Sequence, residues 1–177
     1  MRPLFCSSFS ALKRPKALAQ TAMLTALGVV LSAYATIRIT ADFQVSFGYL
    51  ASGMIAALFG PWVPALAGVV TDLISYFLYV DGPYCFWFAL NPVVSGIIFS
   101  LFFYQKEVTL PKALAAKLID TIFVEIGLTS LWLVLLYGNS GWPWFAMRAV
   151  WKLVACCIQA PVLYLVLNTM KKIKLIG

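Results

Sequence analysis

Long apolar runs separated by short polar interruptions fill this chain from Ala17 to about Asn168. The first run extends from about Ala17 to Ile37, and the polar stretch RITADFQVS, Arg38 to Ser46, ends it. Phe47 to Phe59 is short for a bilayer crossing. Gly60-Pro61 breaks it, and Trp62 to Val80 follows. The short piece crosses with its neighbour if it begins near Val45. Asp81-Gly82-Pro83 is a turn signal. The fourth run is Phe86 to Tyr104, with Asn91-Pro92 in its first two turns. A basic connection, Gln105 to Lys117, leads to the fifth run, Leu118 to Tyr137. Gly138-Asn139-Ser140-Gly141 is a turn, and the sixth run starts at Trp142. The pattern predicts an all-α integral membrane protein, a bundle of six transmembrane helices.

Composition agrees: 63% of the 177 residues are hydrophobic and 11% charged, whereas soluble domains are about one-half apolar and one-quarter charged. The net charge of +7 is unevenly placed. Arg2, Lys13, Arg14 and Lys16 precede the first run, Lys106, Lys112 and Lys117 occupy the fourth connection, and Lys171, Lys172 and Lys174 follow the last run. An even number of crossings puts these segments on one side, so both termini are expected in the cytoplasm of a multi-pass cell-membrane protein. This placement favours membrane topology over nucleic-acid binding. The chain divides into a basic segment 1–16, a membrane domain 17–170 and a basic tail 171–177.

Several chemistries are excluded or unsupported. Histidine is absent, which removes the usual general base and metal ligand. The acids are scattered singly, and Cys6, Cys85, Cys156 and Cys157 form no CxxC pair. No GxxxxGK[ST] loop is present. An enzyme, a metal site, a cofactor and an ATP site of that type are therefore not expected.

What remains is charge inside apolar helices. Arg148 and Lys152 are four residues apart, on one helix face. A cation at the centre of a spanning helix costs roughly 2.5–3.5 kcal/mol on insertion scales, so Lys152 calls for a partner. Two readings stay open: Arg148 snorkels while Lys152 pairs with Asp72, or the two cations clamp the carboxylates of a ligand. Asp72 lies near the middle of its run, with Tyr76 one turn on. It is either a counter-ion or an acceptor for the N–C–N edge of a pterin-like ring. Arg38, Tyr84 and Phe86 belong to the extracytoplasmic mouth in this topology, where aromatic residues can sandwich a flat heterocycle. Trp132 stands inside the fifth run rather than at its edge. Glu125 is expected to be paired or to face a partner, and Asp120 to meet Lys117. On the first run, Ala22 and Ala26, with Ala19 beside them, form a small-residue groove. That groove suits either a helix of the same chain or another subunit.

These features resemble the substrate-binding S-components of energy-coupling-factor vitamin transporters. The resemblance rests on six spans in under two hundred residues, a basic N-tail and the Ala22/Ala26 element. The segment VSFGYLASGMIAALFGPWVPALAGVVTDLISYFL, the later TSLWLVLLYG and MRAVWK are most similar to the folate-specific subfamily. It covers about residues 17–170. Gln44 stands where an arginine is expected before the SFG element, and Cys156-Cys157 is a further departure. Subfamilies for thiamine, riboflavin, pantothenate and queuosine precursors share the architecture. The resemblance implies vitamin capture from outside, delivery through a transmembrane coupling subunit with two ATPase subunits, and a coupling face at Ala22 and Ala26. Folate suits the residues: two glutamate carboxylates for Arg148 and Lys152, and a pterin edge for Asp72.

Overall fold

A computed structural model describes residues 15–38, 44–78, 86–137 and 142–172. The expected turns at Asp81-Gly82-Pro83 and Gly138–Gly141, and Tyr84, lie outside the described residues, as do residues 1–14 and 173–177.

Helix α1 is Pro15–Tyr34, opened by a proline whose missing N–H costs nothing at a first turn. A two-residue ladder follows, β1 (Ile37–Arg38) antiparallel to β2 (Gln44–Val45), with Ile37 opposite Val45. Helix α2 is Tyr49–Phe59 and α3 is Trp62–Leu78. Between them Gly60 takes φ +79°, a conformation that favours glycine, and donates its N–H to the Ala56 carbonyl at 3.3 Å. A 3₁₀ turn, Phe86–Ala89, leads into α4, Leu90–Phe103.

The fifth apolar run is built in three pieces without a break: α5 (Leu110–Asp120), a π-helical segment (Thr121–Leu128) and α6 (Thr129–Tyr137). It starts at Leu110, eight residues before the expected Leu118, because Pro111 sits in the first turn, where its ring favours helix. Lys117 is therefore a buried helical residue, 1% exposed, and not part of a basic loop. Helix α7 is Trp142–Lys172, with Pro161 inside it. Two helices, Pro15–Tyr34 and Phe145–Lys172, are long and apolar enough to cross a membrane by length and composition, and three shorter apolar helices accompany them.

Side-chain register gives each helix its direction. Gly28 packs on Ala51 and Gly48 near Ser32, so α1 and α2 are antiparallel. Ser32 meets Ser75 at 3.2 Å while Gly28 approaches Thr71, so α1 and α3 run parallel. Gly68 packs on Pro92 and Gly96 on Ala65, making α3 and α4 antiparallel. Tyr49 meets Gln159 and Gly53 meets Leu163, so α7 runs with α2. The start of α1 and the end of α7 consequently share one end of the bundle, called here the terminal end.

Helix α2 packs against α1, α3, α4 and α7 and so occupies the centre. Leu50, Ala51, Met54, Ile55, Ala56, Ala57 and Phe59 are buried along it. Around it lie Phe99, Phe103, Leu163 and Leu167, each fully buried. A Cβ on Gly96 would come within 2.9 Å of the Ala65 backbone nitrogen, so glycine sets how closely α3 and α4 approach. At 11 residues α2 is about 16 Å long, roughly half of a hydrocarbon layer. Its first residue, Tyr49, donates its hydroxyl to the carbonyl of Gln159, at 3.1 Å, in the middle of α7. The central helix thus fills only the terminal half. In the other half the chain at 44–48 descends to mid-depth, where Ser46 O accepts from Gln159 Nε2 at 3.3 Å.

Candidate functional site

The half that α2 leaves unfilled carries the polar side chains. On α7, Arg148 and Lys152 lie one turn apart; Arg148 is 8% exposed and Lys152 is half-buried. Lys152 Nζ is 3.0 Å from Glu125 Oε2. The other oxygen of Glu125 lies 2.6 Å from Lys117 Nζ, which also reaches Asp120 Oδ2 at 3.1 Å. Ser95 on α4 donates to Asp120 Oδ1 at 2.5 Å. The Tyr49 ring lies under Lys117 Nζ, 4.7 Å from its centroid. Two lysines and two acids thus form one chain of contacts running from α5 to α7. Removing one member of such a buried pair leaves its partner uncompensated, at about 3–5 kcal/mol.

The π segment makes this chain possible. Eight residues of α-helix would leave Glu125 roughly 80° round the axis from Lys117. A π turn takes more residues per turn, so it rotates the chain less per residue and brings Glu125 back to the Lys117 face. Thr129 Oγ1 closes the segment by donating to the Val124 carbonyl at 2.9 Å.

Beside this lies an aromatic wall. Trp132 on α6 stacks with Trp87 of the 3₁₀ turn, centroids 5.2 Å apart and planes 28° from parallel. Asn91 Nδ2 donates to Thr129 Oγ1 at 3.1 Å. Asn91 Oδ1 and Trp132 Nε1 are buried and make no hydrogen bond to the described residues. Asp72 and Tyr76 are half-buried on α3, one turn apart, and Tyr76 meets Phe77 edge-on at 6.1 Å.

The sequence-based residues fall out as follows. Arg148 and Lys152 share a face as expected, and the carboxylate touching Lys152 is that of Glu125 on the π-helical segment, where sequence alone had offered Asp72. Asp120 does meet Lys117, yet deep in the protein. Trp132 has Trp87 as its partner. Arg38 lies in β1 and Phe86 in the 3₁₀ turn, their side chains outside the described set. Ala19, Ala22 and Ala26 are exposed on α1, while Thr21, Thr25 and Gly28 form its inward face, so the alanine groove does not pack against the described residues. Sequence reasoning missed Ser95, Gln159 and the side-chain role of Asn91, and had Tyr49 and Trp87 only among the aromatic residues at large. The Lys117/Asp120 spacing, the expected pairing of Glu125 and the need of Lys152 for a partner had each signalled part of the ionic network.

The comparisons with known proteins bear on this geometry. The profile of the family described as ECF-type riboflavin transporter, S component, matches residues 13–172. This chain belongs to the S-component family of ECF-type transporters. Named relatives of this S component include the folate transporter FolT of Clostridium novyi, 27% identical over 86% of this chain and 88% of the relative. FolT of Leuconostoc mesenteroides is 31% identical over 83% of this chain and 82% of its own length. A crystal structure of FolT bound with folic acid superimposes with a TM-score of 0.79 at 29% identity, covering 87% of this chain and 92% of that one. The S component is thus a transporter subunit of a membrane-embedded family, with the FolT fold.

Proposed function

We propose that this S component binds folate from outside the cell and delivers it inward through a transmembrane coupling subunit driven by two ATPase subunits. In this reading it is a multi-pass cell-membrane protein with six crossings, and the terminal end faces the cytoplasm. Arg2, Lys13, Arg14 and Lys16 around the start of α1, Lys106 and Lys112 around the start of α5, and Lys171, Lys172 and Lys174 at the end of α7 and beyond support that orientation.

The observation that carries the reading is the pair Arg148 and Lys152, one turn apart in the half of the bundle that α2 does not fill. Folate ends in a glutamate with two carboxylates. A guanidinium offers one of them a planar, two-pronged contact and an ammonium offers the other a point charge. Riboflavin, named in the matching family description, is uncharged and makes no use of two cations. The FolT relatives and the folic-acid-bound structure support the same choice. Asp72 is assigned to the N–C–N edge of the pterin, with Tyr76 beside it. Trp132 and Phe86 are assigned to stacking, and Arg38 and Tyr84 to the mouth. The buried Trp132 Nε1 and Asn91 Oδ1 suit hydrogen bonds with a polar heterocycle. Ala19, Ala22 and Ala26 are assigned to the coupling subunit: a shallow exposed groove permits close helix approach.

Isothermal titration of purified protein with folate tests this, alongside a vitamin panel read by thermal shift. Folate is expected to raise the unfolding midpoint through preferential binding to the native state, and riboflavin to leave it unchanged. Arg148→Ala and Lys152→Ala are each expected to weaken folate binding by about tenfold to a hundredfold, as for loss of a charge-assisted contact. Unchanged affinity in both would overturn the clamp.

A further inference from the structure

The ionic chain is graded. Lys117 and Asp120 keep 1% and 4% of their side-chain surface, whereas Lys152 and Glu125 keep 15% and 23%. In a membrane protein a reachable ion pair faces water or a ligand path, because lipid does not accommodate it. The chain is therefore sealed at the α5 end and open at the α7 end.

Its connectivity is lopsided too. Glu125 gives one oxygen to Lys117 and the other to Lys152. Asp120 has both Lys117 and Ser95. If Lys152 swings away, Glu125 keeps Lys117 and Asp120 loses nothing. The loss of Lys117 would instead strip both acids of their common cation. Lys152 is the one cation of this network whose departure leaves each acid still touching an ammonium, although Lys117 alone then faces two carboxylates.

We infer that Glu125 is the resident counter-ion of the ligand-free S component, holding Lys152 until a substrate carboxylate takes its place, while Glu125 keeps its contact with Lys117. This rests on the folate reading above. Glu125 thereby lowers affinity for every anionic ligand and sets the strength of carboxylate that can compete. It acts on the ligand through Lys152 and is a positioning residue. No bond is made or broken; one carboxylate replaces another at the same ammonium.

The sign of one measurement decides. Folate is titrated into full-length wild type and Glu125→Gln, with Glu125→Asp, which keeps the charge and draws it back, as the variant to use if the amide fails to fold. Release of a partly exposed pair is expected to tighten binding about fivefold for Glu125→Gln and by less for Glu125→Asp. A double-mutant cycle with Lys152→Met, read by thermal unfolding, is expected to show coupling between the two positions without folate and none at saturation. Weakened or unchanged folate binding in the Glu125 variants, or coupling that persists at saturation, overturns the inference alone. Wild type that fails to bind folate overturns the functional reading and, with it, this inference.

Discussion

The two halves of the bundle solve opposite problems with the same helices. The terminal half is filled by α2 and sealed by Phe99, Phe103, Leu163 and Leu167, with glycine bringing α3 against α4. The other half has no central helix among the described residues and carries Lys152, Glu125, Arg148 and the Trp87–Trp132 stack. The first half is specified by volume, the second by charge and hydrogen bonding. Lys117 sits at the junction, buried like a core residue yet ionic like a site residue. Substitutions should therefore separate stability from binding according to the half they touch, and Lys117 should affect both.

The largest effect is expected at that junction. Lys117→Met leaves Asp120 and Glu125 facing one another without their shared cation, at a cost of about 3–5 kcal/mol. The readout is a large drop in unfolding midpoint in detergent or failure to accumulate. Gly96→Val comes next: its Cβ meets backbone atoms that cannot step aside, so about 1–3 kcal/mol should be lost. Because that strain lies in the terminal half, surviving protein should still bind folate with near-native affinity in a titration. Trp132→Ala should reverse the balance. It removes the ring assigned to stack on the pterin, a contact worth about 0.5–1.5 kcal/mol, so folate affinity should fall several-fold, while loss of the Trp87 contact lowers the midpoint less than Lys117→Met does. The smallest effect on the isolated chain should come from Ala22→Trp on the exposed face of α1. Midpoint and folate titration should be unchanged, since surface changes stay within about 0.5 kcal/mol, while co-purification with the coupling subunit is lost. A fold defect in that variant, or intact co-purification, would remove α1 as the docking face.

How far the chain could be read in advance follows the same division. Gly60-Pro61 announced the stop after α2, and the shortness of that run was visible at once, because break signals and hydrophobic length are local. The start of the fifth crossing was misplaced because Lys112 and Lys117 look like loop residues when their surroundings are unknown. Whether a lysine is solvated or buried beside two acids depends on residues three and eight positions away in a register that sequence does not disclose. Arg148 and Lys152 were legible as a pair through helical spacing. The choice of Glu125 over Asp72 as the acid touching Lys152 was not, since it depends on which helix packs beside α7. The exposure of Ala19, Ala22 and Ala26 was equally undecided, because Thr21, Thr25 and Gly28 offer α1 a second small-residue face.

The π segment at Thr121–Leu128 has one more consequence. It amounts to a residue inserted into an otherwise ordinary helix, so shortening it by one would let the rod relax to regular winding. Everything beyond would then turn by roughly 100° relative to α5. Trp132 would swing off Trp87 and Thr129 away from Asn91. A single surplus residue thus decides which way the far end of the fifth crossing looks.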